Sequence, residues 1–237
     1  MRRLLVLAAT VAALLLGASR ALACGTSAGY SYAGVAAPAK AFGISASVTP
    51  MNGFNVLAGH VAGWVGVGGP GKGPRGSDEW LQVGFSGFPS LDGNDLYYEL
   101  TLPNGRPSYH QIAANLPFGQ PARFAVLEIR GKHDWWRVWV NGKPATAPIH
   151  LPASHGRWAP IATAESWDGG TNGACNGFLY RFDRVSIAAA PGGRWHPIAG
   201  ALDITSNGTR IQRNNGKGSF VAAEGDDAFR LLASARG

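Results

Sequence analysis

The chain has 237 residues, enough for one domain with a sizeable core. Apolar residues make up 46% and charged ones 15%, which excludes a disordered chain, and Gly 34, Pro 15 and Trp 8 point away from a helical bundle toward a turn-rich β protein. The formal net charge of +7 raises an anionic partner such as nucleic acid, a reading that depends on what the N-terminus is.

Arg2 and Arg3 form a basic head, Leu4 to Gly17 is an apolar run, and Ala21-Leu22-Ala23 has small residues where signal peptidase needs them. Residues 1–23 are therefore expected to be a secretory signal peptide. The run is short for a membrane span and Arg20 interrupts it. Taking this segment away removes three arginines and no acid, so the charge falls from +7 to +4. The remaining Lys and Arg are scattered singly, and no nucleic-acid partner is expected. The mature protein is expected to be extracellular and monomeric, without stable membrane association. A lipid anchor on Cys24 is the second reading, because Leu22 suits a lipobox poorly. Cys24 and Cys175 can pair as a disulfide in an oxidising compartment; the alternative is a lipidated Cys24 beside a free Cys175. Two cysteines cannot build a structural zinc site, no His/Asp/Glu spacing suggests a metal, and no cofactor is expected.

From residue 24 onward, short alternating or apolar runs are separated by Gly, Pro and Asn, the pattern of an all-β, antiparallel two-sheet sandwich. Strands are predicted over Phe54–Val67, Glu79–Phe88, Leu96–Leu102, Ala122–Arg130, Trp135–Val140, Ile161–Trp167, Phe178–Ala188 and Thr209–Ala222. Asn141-Gly142 after Trp135–Val140 predicts a tight hairpin. Gly68–Ser77 reads as a loop rich in Gly and Pro. Residues 24–190 are assigned to the sandwich, and residues 191–237 to its terminal hairpin and a mobile tail.

Alternation sorts side chains onto two faces. Val61, Val65 and Val67 point one way, and His60, Ala62 and Trp64 the other. Leu81, Val83 and Phe85 oppose Trp80 and Gln82. Tyr97, Glu99 and Thr101 share a face, as do Thr163, Glu165 and Trp167. A sheet with one apolar face and one bearing Trp, Tyr, Gln and Glu makes a concave, aromatic-lined binding groove, since exposed Trp on one face marks contact with a ligand.

Trp64-Val65-Gly66-Val67-Gly68, Trp80-Leu81-Gln82-Val83-Gly84-Phe85, Tyr97-Tyr98-Glu99-Leu100 and Thr163-Ala164-Glu165-Ser166 follow one another in the order of four eqolisin motifs. Over roughly Val56 to Ile187 the chain resembles these glutamic peptidases, which are built on a concanavalin-like jelly roll. The resemblance implies that Gln82 and Glu165 are the catalytic pair. It also implies that Trp64 and Glu99 line the same face, where Trp80, Tyr97 and Trp167 are further substrate-binding candidates. In that chemistry the glutamate activates a water against a peptide carbonyl, and the glutamine orients the water and donates to the oxyanion. The expected partner is a polypeptide. Where the family's first motif continues to Asp, this chain has Gly68 and Gly69, and the loop that follows carries Lys72 and Arg75. An aromatic face also suits sugar rings, so the alternatives are a secreted carbohydrate binder or glycosidase using Glu99 and Glu165 on a polysaccharide, and a non-catalytic relative.

Overall fold

The computed structural model describes residues 29–51, 55–170, 176–214 and 218–234. The segment 1–23, Cys24 and Cys175 lie outside them, and so do the export, anchoring and disulfide expectations.

In chain order the strands are β1 (Tyr30–Ala36), β2 (Gly43–Pro50), β3 (His60–Gly69), β4 (Glu79–Gly87), β5 (Asn94–Thr101), β6 (Ser108–Leu116), β7 (Ala122–Glu128) and β8 (Trp135–Val140). There follow β9 (Lys143–Pro144), β10 (Ile149–His150), β11 (Ile161–Trp167), β12 (Phe178–Ala188), β13 (Trp195–Pro197), β14 (Leu202–Thr205), β15 (Thr209–Arg213) and β16 (Phe220–Glu224), with one helix, α1 (Asp226–Ser234). They form two antiparallel sheets. One runs β14-β1-β11-β3-β4-β5-β6; the other runs β10-β8-β7-β2-β12-β16-β15, with β9 on β8 and β13 on β12. This is the expected sandwich.

The core lies between the sheets. Val61, Val65, Leu81, Val83 and Phe85 from one face Ile44, Val48, Phe124, Val126, Val138, Tyr180 and Phe182 from the other, all essentially inaccessible. Phe85 and Phe124 meet edge to face at 5.1 Å across the layers. Each fully buried side chain of this size contributes about 1.5–3 kcal/mol. The hairpin after β8 forms as predicted: Asn141 (φ 49°) and Gly142 (φ 78°) sit in the left-handed region a two-residue turn of this hand demands, and Val140 pairs with Lys143.

Three expectations change. The predicted Phe54–Val67 strand begins only at His60, with Asn55 making an isolated bridge to Gly177. The predicted strand Thr209–Ala222 is a hairpin: β15 and β16 pair Thr209 with Glu224 and Arg213 with Phe220. β1, β2 and β6 were not predicted at all. Residues 191–237 supply β13, β15 and β16 to one sheet, β14 to the other, and α1, whose Ala228 and Leu232 pack on Leu179 and Ala223.

Candidate active site

Cross-strand register fixes which side chains leave the seven-stranded sheet on its outer face. Tyr30, Trp167 and His60 form one rung; Tyr32, Glu165, Ala62, Ser86 and Asp95 the next. Then come Gly34, Thr163, Trp64, Gly84, Tyr97 and Gln111, followed by Ile161, Gly66, Gln82, Glu99 and Tyr109, and finally Gly68, Trp80 and Thr101. Because side chains alternate, the residues between these point into the core. All seven residues nominated from sequence, Gln82, Glu165, Trp64, Trp80, Tyr97, Glu99 and Trp167, therefore share one face.

On that face the residues form a floor and a rim. Gln82 (7% exposed), Glu165 (6%), Trp64 (8%) and Tyr97 (2%) are the floor. Tyr30, His60, Trp80, Glu99, Trp167 and Tyr109 stand partly exposed around it. Trp64 departs from expectation: it is not an exposed platform but is buried, packed with Ala62 and Tyr97. Gly84 makes this possible. A Cβ there would sit 2.2 Å from the Gly63 carbonyl oxygen and 2.7 Å from Trp64 Cβ.

The Gln82 side-chain amide donates to the Tyr97 hydroxyl at 3.1 Å. The Trp80 indole donates to Glu99 Oε1 at 2.9 Å. His60 Nε2 stands 3.5 Å from Glu165 Oε1, its ring boxed by Trp167 (5.6 Å between centroids), Phe88 (6.0 Å) and Tyr30 (6.4 Å). Tyr109 stacks on Tyr97 at 5.0 Å and places its hydroxyl 2.9 Å from Ser86 Oγ. The buried Trp64 indole N–H meets no acceptor among the described residues. Such a donor costs about 1–3 kcal/mol unless water or a ligand meets it. Glu165 stands opposite Ala62 and Gln82 opposite Gly66, so the two are separated by β3 and by the single rung that carries Trp64 and Tyr97.

No lysine or arginine occupies these rungs, and the charges are those of Glu165, Glu99, Asp95 and, when protonated, His60. Asp95 is engaged by Gln111 Nε2 (2.7 Å) and the Asn115 N–H. Burial raises the Glu99 carboxyl above its ordinary range, opposed by the Trp80 hydrogen bond and reinforced by the Glu165 charge. Burial, then the charges of Glu165 and Glu99, push the Tyr30 hydroxyl up to about 12, and the same causes hold Tyr97 well above its ordinary value. Both hydroxyls therefore stay protonated, and that of Tyr97 accepts the Gln82 N–H. Among the described residues no group of three His, Cys, Asp or Glu side chains converges as a metal cluster.

Sequence reasoning missed Tyr30, Tyr32 and Tyr109. Tyr30-Ser31-Tyr32 alternates as a strand should, but its neighbours are Ala and Gly, which mask the signal.

No family model and no curated protein matches the chain by sequence. Among solved structures, scytalido-glutamic peptidase with a transition state analog inhibitor aligns with a TM-score of 0.56 at 13% identity, over 84% of this chain and 99% of that one. The same enzyme with a peptide-based transition state analog gives 0.53 at 13%, over 82% and 97%. At this identity the likeness is one of fold: the chain has the two-sheet architecture of these glutamic peptidases.

Proposed function

We propose that the protein is an exported, monomeric hydrolase of the glutamic endopeptidase type, with Gln82 and Glu165 as its catalytic residues. One observation carries this reading: Gln82, Glu165 and the unpartnered Trp64 indole lie together on the floor of one sheet face, and among the described residues Glu165 is tied to no lysine or arginine, its one basic neighbour being His60 at 3.5 Å. An extended peptide laid over this floor meets donors and one carboxylate inside aromatic walls. Glu165 takes a proton from a water as that water attacks the scissile carbonyl carbon. The oxyanion that forms accepts from the Gln82 amide, and the protonated Glu165 then passes its proton to the departing amine. Tyr97 accepts one Gln82 N–H and so fixes the orientation of that amide. Trp80, Tyr97, Glu99 and Trp167 contact the substrate chain or hold the residues that do.

Incubating the purified protein with a denatured protein substrate across roughly pH 2–8 tests the reading. Internal cleavage supports it. Intact substrate at every pH, with depolymerisation of a polysaccharide instead, would transfer the site to Glu99 and Glu165 acting on sugars, the second reading that the rim aromatics permit. N-terminal sequencing of exported protein that begins at Cys24 is the expected outcome for the signal segment.

A further inference from the structure

The strands that build the furrow end together. β1 ends at Ala36, β3 at Gly69, and β4 and β11 begin at Glu79 and Ile161, so the connections at all four meet at the Trp80 end of the furrow. There they enclose a cavity of about 370 Å³ into which Lys40, Lys72, Arg75 and Arg157 open, over a wall of Pro74 and Trp158. None of these four cations has a carboxylate within ion-pair distance among the described residues, and no other wall residue of the cavity is charged. The nearby Asp78 accepts the Gly71 N–H at 2.9 Å, is not part of the cavity wall, and leaves the cations in excess there.

The loop is held in shape. The Trp158 indole, 4% exposed, donates to the Lys72 carbonyl at 3.1 Å, the Gly73 N–H donates to Ser77 O at 2.7 Å, and the Ser77 hydroxyl donates to Pro74 O at 2.9 Å. Arg75 is kept in the left-handed region (φ 57°), a conformation that is unfavourable for a non-glycine residue and persists only where its surroundings impose it. Exposed cations from three separate segments thus converge on one cavity, two of them, Lys72 and Arg75, on a loop whose backbone is held in place.

We infer that this cavity binds the carboxylates of an acidic peptide segment that continues out of the furrow past Trp80, and so sets a preference for substrates with Asp or Glu on that side. The inference rests on the peptide reading of the furrow. A single cation at such a rim contributes modestly, but several acting on one chain add up and weaken as salt screens them.

The test is binding, not turnover. Fluorescence anisotropy of a labelled Glu-rich extended peptide and its Gln-substituted counterpart is measured against the full chain carrying Glu165→Gln, at roughly 50 and 200 mM salt. The Glu-rich peptide is expected to bind about tenfold more tightly. That preference should collapse in Lys72→Gln/Arg75→Gln, should fall independently in Arg157→Gln on a different segment, and should shrink at the higher salt. Equal affinity for the two peptides, or a preference untouched by both variants, overturns the inference. So does competition-free binding of inorganic pyrophosphate without any acidic-peptide preference, which would mark a small-oxyanion site. Failure of the wild type to cleave peptides while the preference persists would refute the hydrolase reading and leave the acidic-peptide site intact.

Discussion

Tyr97 shows how much a single side chain does on this floor. Its ring is buried against Trp64 and Tyr109, and its hydroxyl accepts the Gln82 amide at 3.1 Å. Tyr97→Phe keeps the packing and removes the acceptor, freeing the amide to rotate. The expected result is a loss of roughly tenfold or more in kcat with little change in KM, since the lost interaction orients a group that acts at the transition state; steady-state kinetics on a peptide substrate checks this. A rise in KM with kcat unchanged would instead make Tyr97 a substrate contact. Gln82, Glu165 and their companions were legible in the sequence because strict alternation put them opposite Leu81, Val83, Ala162 and Ala164. Their depth was not legible. Alternation tells which face a side chain takes, not that Gly84 leaves room for Trp64 to be buried in the floor against Ala62 and Tyr97. The contact of His60 with Glu165 was also invisible, because it joins the ends of two strands far apart in sequence.

At the scale of elements, the predicted strands are those whose residues alternate between a core of branched and aromatic side chains and a polar or aromatic outside. β4, β8, β11 and β12 emerge within a residue of their predicted limits. β2 reads Gly-Ile-Ser-Ala-Ser-Val-Thr-Pro and is buried along its whole length, so small and hydroxyl residues erase the alternation. β6 is an edge strand exposed at most positions, with no apolar face to detect. The predicted run Thr209–Ala222 is two strands, β15 and β16, on either side of Asn214-Asn215-Gly216-Lys217-Gly218, a turn-forming composition that the single-strand reading passes over. Packing of β3 against β4 depends on the glycine between Trp64 and Tyr97. Gly84→Ala places a methyl group against the Gly63 carbonyl and Trp64, which have little room to yield. We expect a loss of about 1–3 kcal/mol in urea-induced unfolding, the cost of overpacking a fixed site. An unchanged midpoint would show that β3 and β4 adjust freely and that Trp64 is not held as described.

Over the whole molecule, two buried glutamates couple stability to pH. Glu79 is inaccessible, neither carboxyl oxygen meets a partner among the described residues, and burial, then the Asp134 charge, push it to about 7. Glu224 is raised to about 7 by burial, against hydrogen bonds from Ser31 and Ser166 and with the Asp168 charge adding to the rise. Below the ordinary value of 4.5 both folded and unfolded chains hold these protons, so nothing is lost. Between there and about 7 the unfolded chain releases them first, and the folded state loses stability as pH rises. Glu79→Gln should therefore narrow the gap in unfolding free energy between about pH 5 and pH 8, by up to ~3 kcal/mol. A gap as wide as in the wild type would mean that Glu79 is not the group responsible. Of the five glutamates in the chain, Glu79, Glu128, Glu165 and Glu224 are buried and Glu99 is partly so. A catalytic role for Glu165 is tested by peptide mapping, by mass spectrometry, of a denatured protein incubated with wild type, Glu165→Gln and Gln82→Ala. Internal cleavage by the wild type and a loss of at least about a hundredfold in both variants are expected; equal cleavage by all three, or none by the wild type at any pH, would rule the pair out as the catalytic residues.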